Sequence, residues 1–109
     1  MPRQLSLSAV TVLNAIAHGS EYGFDIIDAT GLPSGTVYPA LSRLERDGFL
    51  KSGWEEARKA HAEKRPPRRY YRLTAQGARA FREAQSRLRA LMRGAPALSE
   101  RSEPKGGTA

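Results

Sequence analysis

The sequence predicts a mainly α-helical domain that carries one two-stranded β-wing and ends in a single amphipathic helix. Three observations lead to this fold class. Apolar residues recur at helical spacing three times within the first fifty residues, two short segments of bulky residues follow, and a long apolar stripe comes last. The chain has 109 residues, which is the size of one small domain.

The first two helices are predicted over residues 7–18 and 22–30. Each is followed by a glycine that is typical of a helix C-terminus, Gly19 after the first and Gly31 after the second. Two short helices joined by a tight turn therefore open the chain.

The third helix is predicted to begin with Ser34 as its N-cap and to close at Asp47-Gly48. Pro39 lies inside it, where proline lacks a backbone donor and clashes with the carbonyl four residues earlier, at Gly35. We therefore expect an irregular start to this helix.

Residues 49–55 and 69–73 are predicted to form the two strands, because both are short and rich in bulky side chains. In the second strand, Tyr71 and Leu73 share one face. The connection between the strands is expected to be a long basic tip in which Pro66-Pro67 prevents regular pairing.

Thr74 is expected to cap the last helix, whose apolar residues recur every three or four positions. After this helix the composition turns to glycine, proline and serine without periodicity. We divide the chain into a DNA-binding unit (1–73), a C-terminal dimerisation helix (74–93) and a disordered tail (94–109).

Positive charge is concentrated in one part of the chain. The whole chain has a net charge of +7, but residues 1–49 sum to −2, residues 50–93 to +9 and the last sixteen residues to zero. Local basicity of this kind is typical of proteins that bind nucleic acid, because each neutralised phosphate releases counterions. A solvated basic surface is the alternative interpretation of the charge alone.

The predicted order of elements is helix, helix, turn, helix and strand pair, which is the order of a winged helix-turn-helix. In this fold the third helix enters the major groove of DNA. Its apolar residues must face inward, which leaves polar and small side chains outward. The candidate DNA contacts on this helix are Ser34, Gly35, Thr36, Tyr38, Pro39, Ser42 and Arg43.

Two motifs make the sequence similar to a known family. Residues 35–50 read GTVYPALSRLERDGFL and residues 69–77 read RYYRLTAQG, with Trp54-Glu55 between them. This combination closely resembles the PadR family of bacterial transcriptional regulators, over about residues 5–92. The resemblance implies a homodimeric winged-helix repressor that binds a roughly palindromic operator and is released by a small effector. The single short C-terminal helix resembles the compact subfamily.

The ribbon tip looks longer than is usual in this family, and its basic residues are further candidates for DNA contact. These wing candidates are Lys64, Arg65, Arg68, Arg69 and Tyr70. A charge run of this type is also compatible with a merely solvated surface.

The apolar stripe of the last helix is expected to pack against a second copy of the chain, together with the first helix. The candidate dimerisation residues are Leu7, Val10, Phe81, Leu88, Leu91 and Met92. Completion of the chain's own core is the alternative for the stripe. A small hydrophobic or aromatic effector is a further expected partner, held between the dimer helices, although the sequence does not identify its binding residues.

Other classes of protein are less compatible with the sequence. There is no cysteine and no glycine-rich phosphate loop, only two histidines are present, and Asp25 and Asp28 are typical of solvated charges. We therefore expect no enzyme, no metal site and no cofactor. The remaining alternative is a winged-helix adaptor that binds proteins without specific DNA binding.

The expected location is the cytoplasm. The chain has no run of about 18 apolar residues that would span a membrane, and it begins without the pattern of a secretory signal. Double-stranded DNA and a second copy of the chain, rather than a membrane, are the expected partners.

Overall fold

The computed structural model describes residues 5–94. Its elements in chain order are α1 (Leu7–Ala17), α2 (Gly23–Thr30), α3 (Ser34–Arg46), β1 (Leu50–Trp54), α4 (Ala57–Ala62), β2 (Arg69–Leu73) and α5 (Ala75–Arg93). The predicted fold class, mainly α with a two-stranded wing, is confirmed. The predicted disordered tail lies outside the described residues except for Gly94.

The core lies where α1, α2 and α3 meet. Leu13 of α1, Ile26 of α2 and Leu41 of α3 are fully buried, as are Val12 and Val37. Removing each of these side chains from water contributes roughly 1.5–3 kcal/mol to folding. Their spacing along each helix determines which side of that helix faces inward.

Helix α3 begins one residue earlier than predicted. Pro33 is its N-cap, so Ser34 is the first helical residue rather than the cap. The irregular start expected around Pro39 is also wrong, because the helix is continuous from Ser34 to Arg46. Proline costs this helix one backbone hydrogen bond, while the missing Cβ at Gly35 leaves open space beside the first turn.

The ribbon is antiparallel and pairs Leu50 with Leu73 at one end and Trp54 with Arg69 at the other. Tyr71 and Leu73 lie on one face, as predicted; Tyr71 is buried and Leu73 packs against the core. Tyr22, just before α2, forms an antiparallel β-bridge with Tyr70, so this segment pairs with the edge of β2. A two-stranded hairpin is marginal alone, so these contacts with the helices stabilise it.

The tip of the ribbon differs from the predicted irregular loop, because it contains helix α4. Ala60 in this helix is fully buried, so one side of α4 packs against the protein. Lys64 follows with φ of 57°, a left-handed conformation that turns the chain back toward β2.

Helix α5 is capped as predicted: the Thr74 hydroxyl accepts a hydrogen bond from the Gly77 backbone N–H. Gly77 packs directly on the backbone of Phe49, just before β1. Phe81 and Ala84 are buried against the core, whereas residues 86–94 are all exposed. The second half of α5 therefore extends beyond the chain's own core. Within residues 5–94, no helix combines the length and the apolar character needed to cross a membrane.

The contact between Gly77 and Phe49 generates a stability prediction. A Cβ at position 77 would overlap the Phe49 carbonyl oxygen, so Gly77→Ala is expected to lower the free energy of unfolding by about 1–3 kcal/mol through overpacking. Thermal denaturation followed by circular dichroism measures this change.

Gly35→Ala is the matched control, because both positions are helical and a Cβ at Gly35 meets nothing within 4 Å. This variant is expected to be more stable than the wild type by about 0.5–1 kcal/mol, since alanine is the better helix former. Equal effects of the two substitutions would contradict the packing described for α5.

Candidate nucleic-acid interface

Helix α3 presents a polar outer face because its inner face is held in the core. Val37, Leu41 and Leu44 are buried, and the side chains between them point to solvent. Of the residues predicted to contact DNA on this helix, Thr36 is half-buried and the others are exposed, namely Ser34, Gly35, Tyr38, Pro39, Ser42 and Arg43.

Tyr38 is exposed and packs on α2. Its phenol ring lies on Gly23 at the start of α2, where an added Cβ would lie 2.6 Å from the hydroxyl oxygen. A side chain at position 23 would therefore displace the Tyr38 ring. Tyr38 is 45% exposed, so an aromatic group with a hydroxyl lies on the outer face.

A polar network joins α3 to the wing. The Ser52 hydroxyl donates to Glu45 Oε2 at 2.6 Å and accepts from Arg69 Nη2 at 2.7 Å. The Arg69 guanidinium also lies 3.5 Å from Glu45 Oε2 and is positioned over the ring of Trp54. Arg69 is therefore pre-positioned on the ribbon face that meets α3, while remaining exposed to solvent.

Tyr70 lies on the opposite face of the ribbon. Its ring packs across the strand pair on Gly53 and carries the Arg72 guanidinium 4.4 Å above it. Arg72 in turn pairs with Glu21 at 3.3 Å. Of the two neighbouring wing candidates, Arg69 thus faces α3 and Tyr70 faces away from it.

One buried carboxylate organises the wing tip. The Glu55 side chain is only 2% exposed, and it accepts two hydrogen bonds from the Arg65 guanidinium, at 2.5 and 2.8 Å. It also accepts from the Arg68 backbone N–H at 3.1 Å and from Arg68 Nη2 at 3.3 Å. A bidentate, charge-assisted pair of this kind has specific geometry.

These contacts set the charge state of the cluster. The hydrogen bond from Arg65, with those from Arg68, lowers the pKa of the Glu55 carboxyl from 4.5 to about 2. The same hydrogen bond raises the pKa of Arg65. On the ribbon, burial raises the pKa of the Tyr71 phenol.

The position of Arg65 differs from the sequence-based expectation. Its guanidinium is committed to Glu55 and to exposed Glu63, and its side chain is only 22% exposed. A direct contact with DNA would require Arg65 to exchange the buried Glu55 carboxylate for a phosphate.

Arg68 connects the tip to the helix-turn-helix. Its guanidinium carbon lies 3.9 Å from the centre of the Tyr22 ring, at the N-cap of α2. Within the described part of the chain, the buried Nε of Arg68 has no hydrogen-bond acceptor. Stacking on Tyr22 and the bond to Glu55 thus hold this side chain in place.

Three cations of the tip remain available. Arg58, Lys59 and Lys64 are exposed, and among residues 5–94 none of the three has an ion pair. Lys64 is a sequence-predicted candidate, whereas Glu55, Arg58 and Lys59 are not. In the sequence, the basic run Arg58-Lys59 could have identified these two residues as candidates. The helix that carries them, α4, was not predicted.

A second surface lies between α1 and α5. A groove of about 570 Å³ is lined there by apolar residues and one arginine, namely Leu5, Leu7, Val10, Ala84, Arg87, Leu88, Ala90 and Leu91. Of the predicted dimerisation residues, Leu7, Leu88, Leu91 and Met92 are exposed and Val10 is half-buried. Phe81 is a correction, because it is 8% exposed and belongs to the chain's own core.

No group of three or more potential ligands that would hold a metal ion occurs within residues 5–94.

Comparisons with known proteins agree with this geometry. The profile described as the transcriptional regulator PadR-like family matches residues 12–83. No curated protein matches the sequence. Among solved structures, the chain is similar to a PadR family transcription regulator from Clostridium difficile, with 20% identity and a TM-score of 0.75 over 85% of this chain and 98% of that one.

Two further structures are similar. A PadR family regulator from Eggerthella lenta has 29% identity and a TM-score of 0.64, over 82% of this chain and 80% of that chain. The PcaV transcriptional regulator from Streptomyces coelicolor, solved in complex with its natural ligand, has 23% identity and a TM-score of 0.74 over 87% of this chain. The chain spans 63% of the length of PcaV.

The buried Glu55 generates a pH prediction. Because the pKa of this carboxyl is lower in the folded state, its pairing stabilises the protein above pH 4.5, and this contribution is lost as the pH falls from 4.5 toward 2. Glu55→Gln is expected to lower the denaturant midpoint at pH 7 and to flatten its decline between pH 4.5 and 2.

Glu63→Gln is the matched control, since Glu63 contacts the same arginine but is 54% exposed. Its midpoint is expected to follow the wild-type pH dependence. If Glu55→Gln and the wild type declined in parallel, the low pKa assigned to Glu55 would be wrong.

Proposed function

Because the chain belongs to the PadR-like family of transcriptional regulators, we propose that it is a DNA-binding repressor that acts as a homodimer on a palindromic operator and is released by a small effector. Residues of α3 read the major groove, and the wing contacts the adjacent backbone. The second half of α5 joins two copies.

The observation that carries the proposal is the exposed polar face of α3, to which the wing residue Arg69 is joined. Exposed Ser42 and Arg43 on α3 are suited to phosphate or base-edge contact. Arg69 is held next to α3 by Glu45 and Ser52 and remains exposed. A side chain that is already positioned loses less conformational entropy on binding than a free one.

The groove between α1 and α5 supports the homodimer. Leu7, Leu91 and Met92 are each about 70% exposed, and residues 86–93 extend past the core by about 12 Å at 1.5 Å per residue. An apolar helix face of this kind requires a partner. A second copy is the simplest occupant, because two identical faces pair around a two-fold axis.

The two-fold axis also accounts for the operator. A symmetric dimer places two copies of α3 in successive major grooves, so the DNA sequence that it recognises repeats as an inverted pair of half-sites.

The effector is assigned to the same groove. PcaV was solved in complex with its natural ligand, so a protein of similar fold binds a ligand. A volume of about 570 Å³ with apolar walls is within the range of small-molecule sites. A ligand enclosed between two copies would change the angle between them and hence the spacing of the two α3 helices.

The DNA contacts are tested by removing single arginines. Arg43→Ala and Arg69→Ala are each expected to weaken binding to a labelled duplex from the region upstream of the chain's own gene by about 1–3 kcal/mol if base contacts are lost, or to lower the salt slope by about 0.9 if a phosphate contact is lost. Fluorescence anisotropy at several salt concentrations measures both quantities.

Arg79→Ala on α5 is the control, because it makes the same charge change on an exposed residue outside the proposed interface. Unchanged affinity and slope for both Arg43→Ala and Arg69→Ala would contradict this assignment and favour the protein-binding adaptor.

The dimer is tested at Leu88, which is 44% exposed and lines the groove. Leu88→Asp is expected to shift the protein from dimer to monomer at micromolar concentration, because it places a charge in an apolar interface. Analytical ultracentrifugation measures the shift. Ser86→Asp adds the same charge to an exposed position of α5 outside the groove and should remain dimeric. A monomeric wild type would contradict the proposal directly.

A further inference from the structure

We propose that helix α4 is a second contact with the DNA backbone, made by Arg58 and Lys59, and that Glu55 is the residue that positions it against the helix-turn-helix. This inference rests on the proposed DNA-binding function. It adds Arg58 and Lys59, which lie on the helix at the tip of the wing, to the DNA contacts proposed above.

The direction of the α4 cations follows from the burial of Ala60. Arg58 lies two residues before Ala60, which is about 200° around the helix at 3.6 residues per turn. With Ala60 fully buried, Arg58 must point outward, and Lys59 flanks it. Both side chains are exposed, and within residues 5–94 they have no carboxylate partner.

The two arginines that follow α4 are already paired. Arg65 is held by Glu55 and Glu63, and Arg68 is held by Glu55. The uncompensated positive charge of the tip thus lies on α4 and on Lys64. Phosphate is the ligand that fits an exposed pair of cations on the wing of a DNA-binding protein.

Glu55 links three parts of the protein through one carboxylate. It binds Arg65, which follows α4, and the backbone N–H of Arg68, which precedes β2. Arg68 then stacks on Tyr22 at the start of α2. Loss of the carboxylate would leave two guanidinium groups without this acceptor and would free α4 to move relative to the helix-turn-helix.

A mobile tip would still carry the same cations, but ordering it on DNA would cost conformational entropy. The effect of Glu55 on DNA binding therefore has a distinctive sign. Glu55→Gln makes the chain more positive, which by itself favours DNA binding, yet the loss of positioning is expected to weaken it.

The experiment compares four forms with the wild type on the same labelled upstream duplex, by fluorescence anisotropy over a range of salt concentrations. They are Arg58→Ala/Lys59→Ala, Glu55→Gln, the triple variant that combines them, and Glu63→Gln. Arg79→Ala/Arg82→Ala, on exposed positions of α5, controls for the loss of two positive charges.

The double variant is expected to lower the salt slope by up to about 1.8, which is about 0.9 for each phosphate contact, while the α5 pair leaves it nearly unchanged. Glu55→Gln is expected to weaken binding, because the mobile tip must be ordered on the DNA. The triple variant should bind no more weakly than the double variant, because α4 no longer contributes. Glu63→Gln, which makes the same charge change at an exposed site, should bind as well as the wild type or better.

Each opposite result overturns a stated part. An unchanged slope in the double variant overturns the α4 contact, and that variant alters only exposed side chains, so its fold is not in question. An additive triple variant, or equal behaviour of Glu55→Gln and Glu63→Gln, overturns the positioning role. Circular dichroism at the assay temperature tests whether Glu55→Gln is folded. If Glu55→Gln is unfolded, Arg68→Lys takes its place, because this substitution removes the guanidinium stack on Tyr22 and keeps the charge. A wild type without salt-dependent DNA binding overturns the proposed function and this inference together.

Discussion

The rotation of α3 about its own axis is the constraint on which the rest of the site depends. Leu41 and Val37 are fully buried against α1 and α2, and any rotation that moved them would expose apolar surface and create cavities. The outward direction of Ser42 and Arg43 is therefore a consequence of core packing. The same packing brings the Tyr38 ring onto Gly23 of α2, within the face that is proposed to read DNA.

The wing is held to the three N-terminal helices by two polar links, one on the face toward α3 and one at the tip. On one face, Ser52 connects Glu45 of α3 to Arg69 of β2. At the tip, Glu55 connects Arg65 to Arg68, which reaches Tyr22. Two strands alone have little stability, so these links determine the orientation of the wing relative to α3. Burying a charged group such as the Glu55 carboxylate costs desolvation free energy. In the wing, this carboxylate sets the orientation of the tip.

Helical periodicity was sufficient to predict α1, α2 and α5, because their apolar residues recur along one face. The predicted strand 69–73 is also confirmed. It could be predicted because Tyr71 and Leu73 alternate with more polar or more exposed residues along the whole strand. Helix α4 was missed because six residues with one buried alanine carry almost no periodic signal. Its formation depends on tertiary contacts at Ala60 and on the turn at Lys64.

Side-chain pairing was the part of the site that the sequence did not reveal. Arg65 resembled its basic neighbours, and nothing in the local sequence indicated that Glu55, ten residues earlier, would be buried beside it. Phe81 shares the stripe of Leu88, but only the structure shows that the core ends at Ala84 and that the stripe continues beyond it. Local pattern thus predicts which face of an element is apolar, whereas the partner of that face depends on the three-dimensional arrangement.

The protein is proposed to recognise a specific DNA sequence as a dimer. Titration of the wild type into a labelled duplex from the region upstream of its own gene, with an unrelated duplex in excess, tests it most directly. Nanomolar binding that survives the competitor, weakens steeply with salt and saturates at two chains per duplex is the predicted result. Equal, weak binding to both duplexes would contradict the claim.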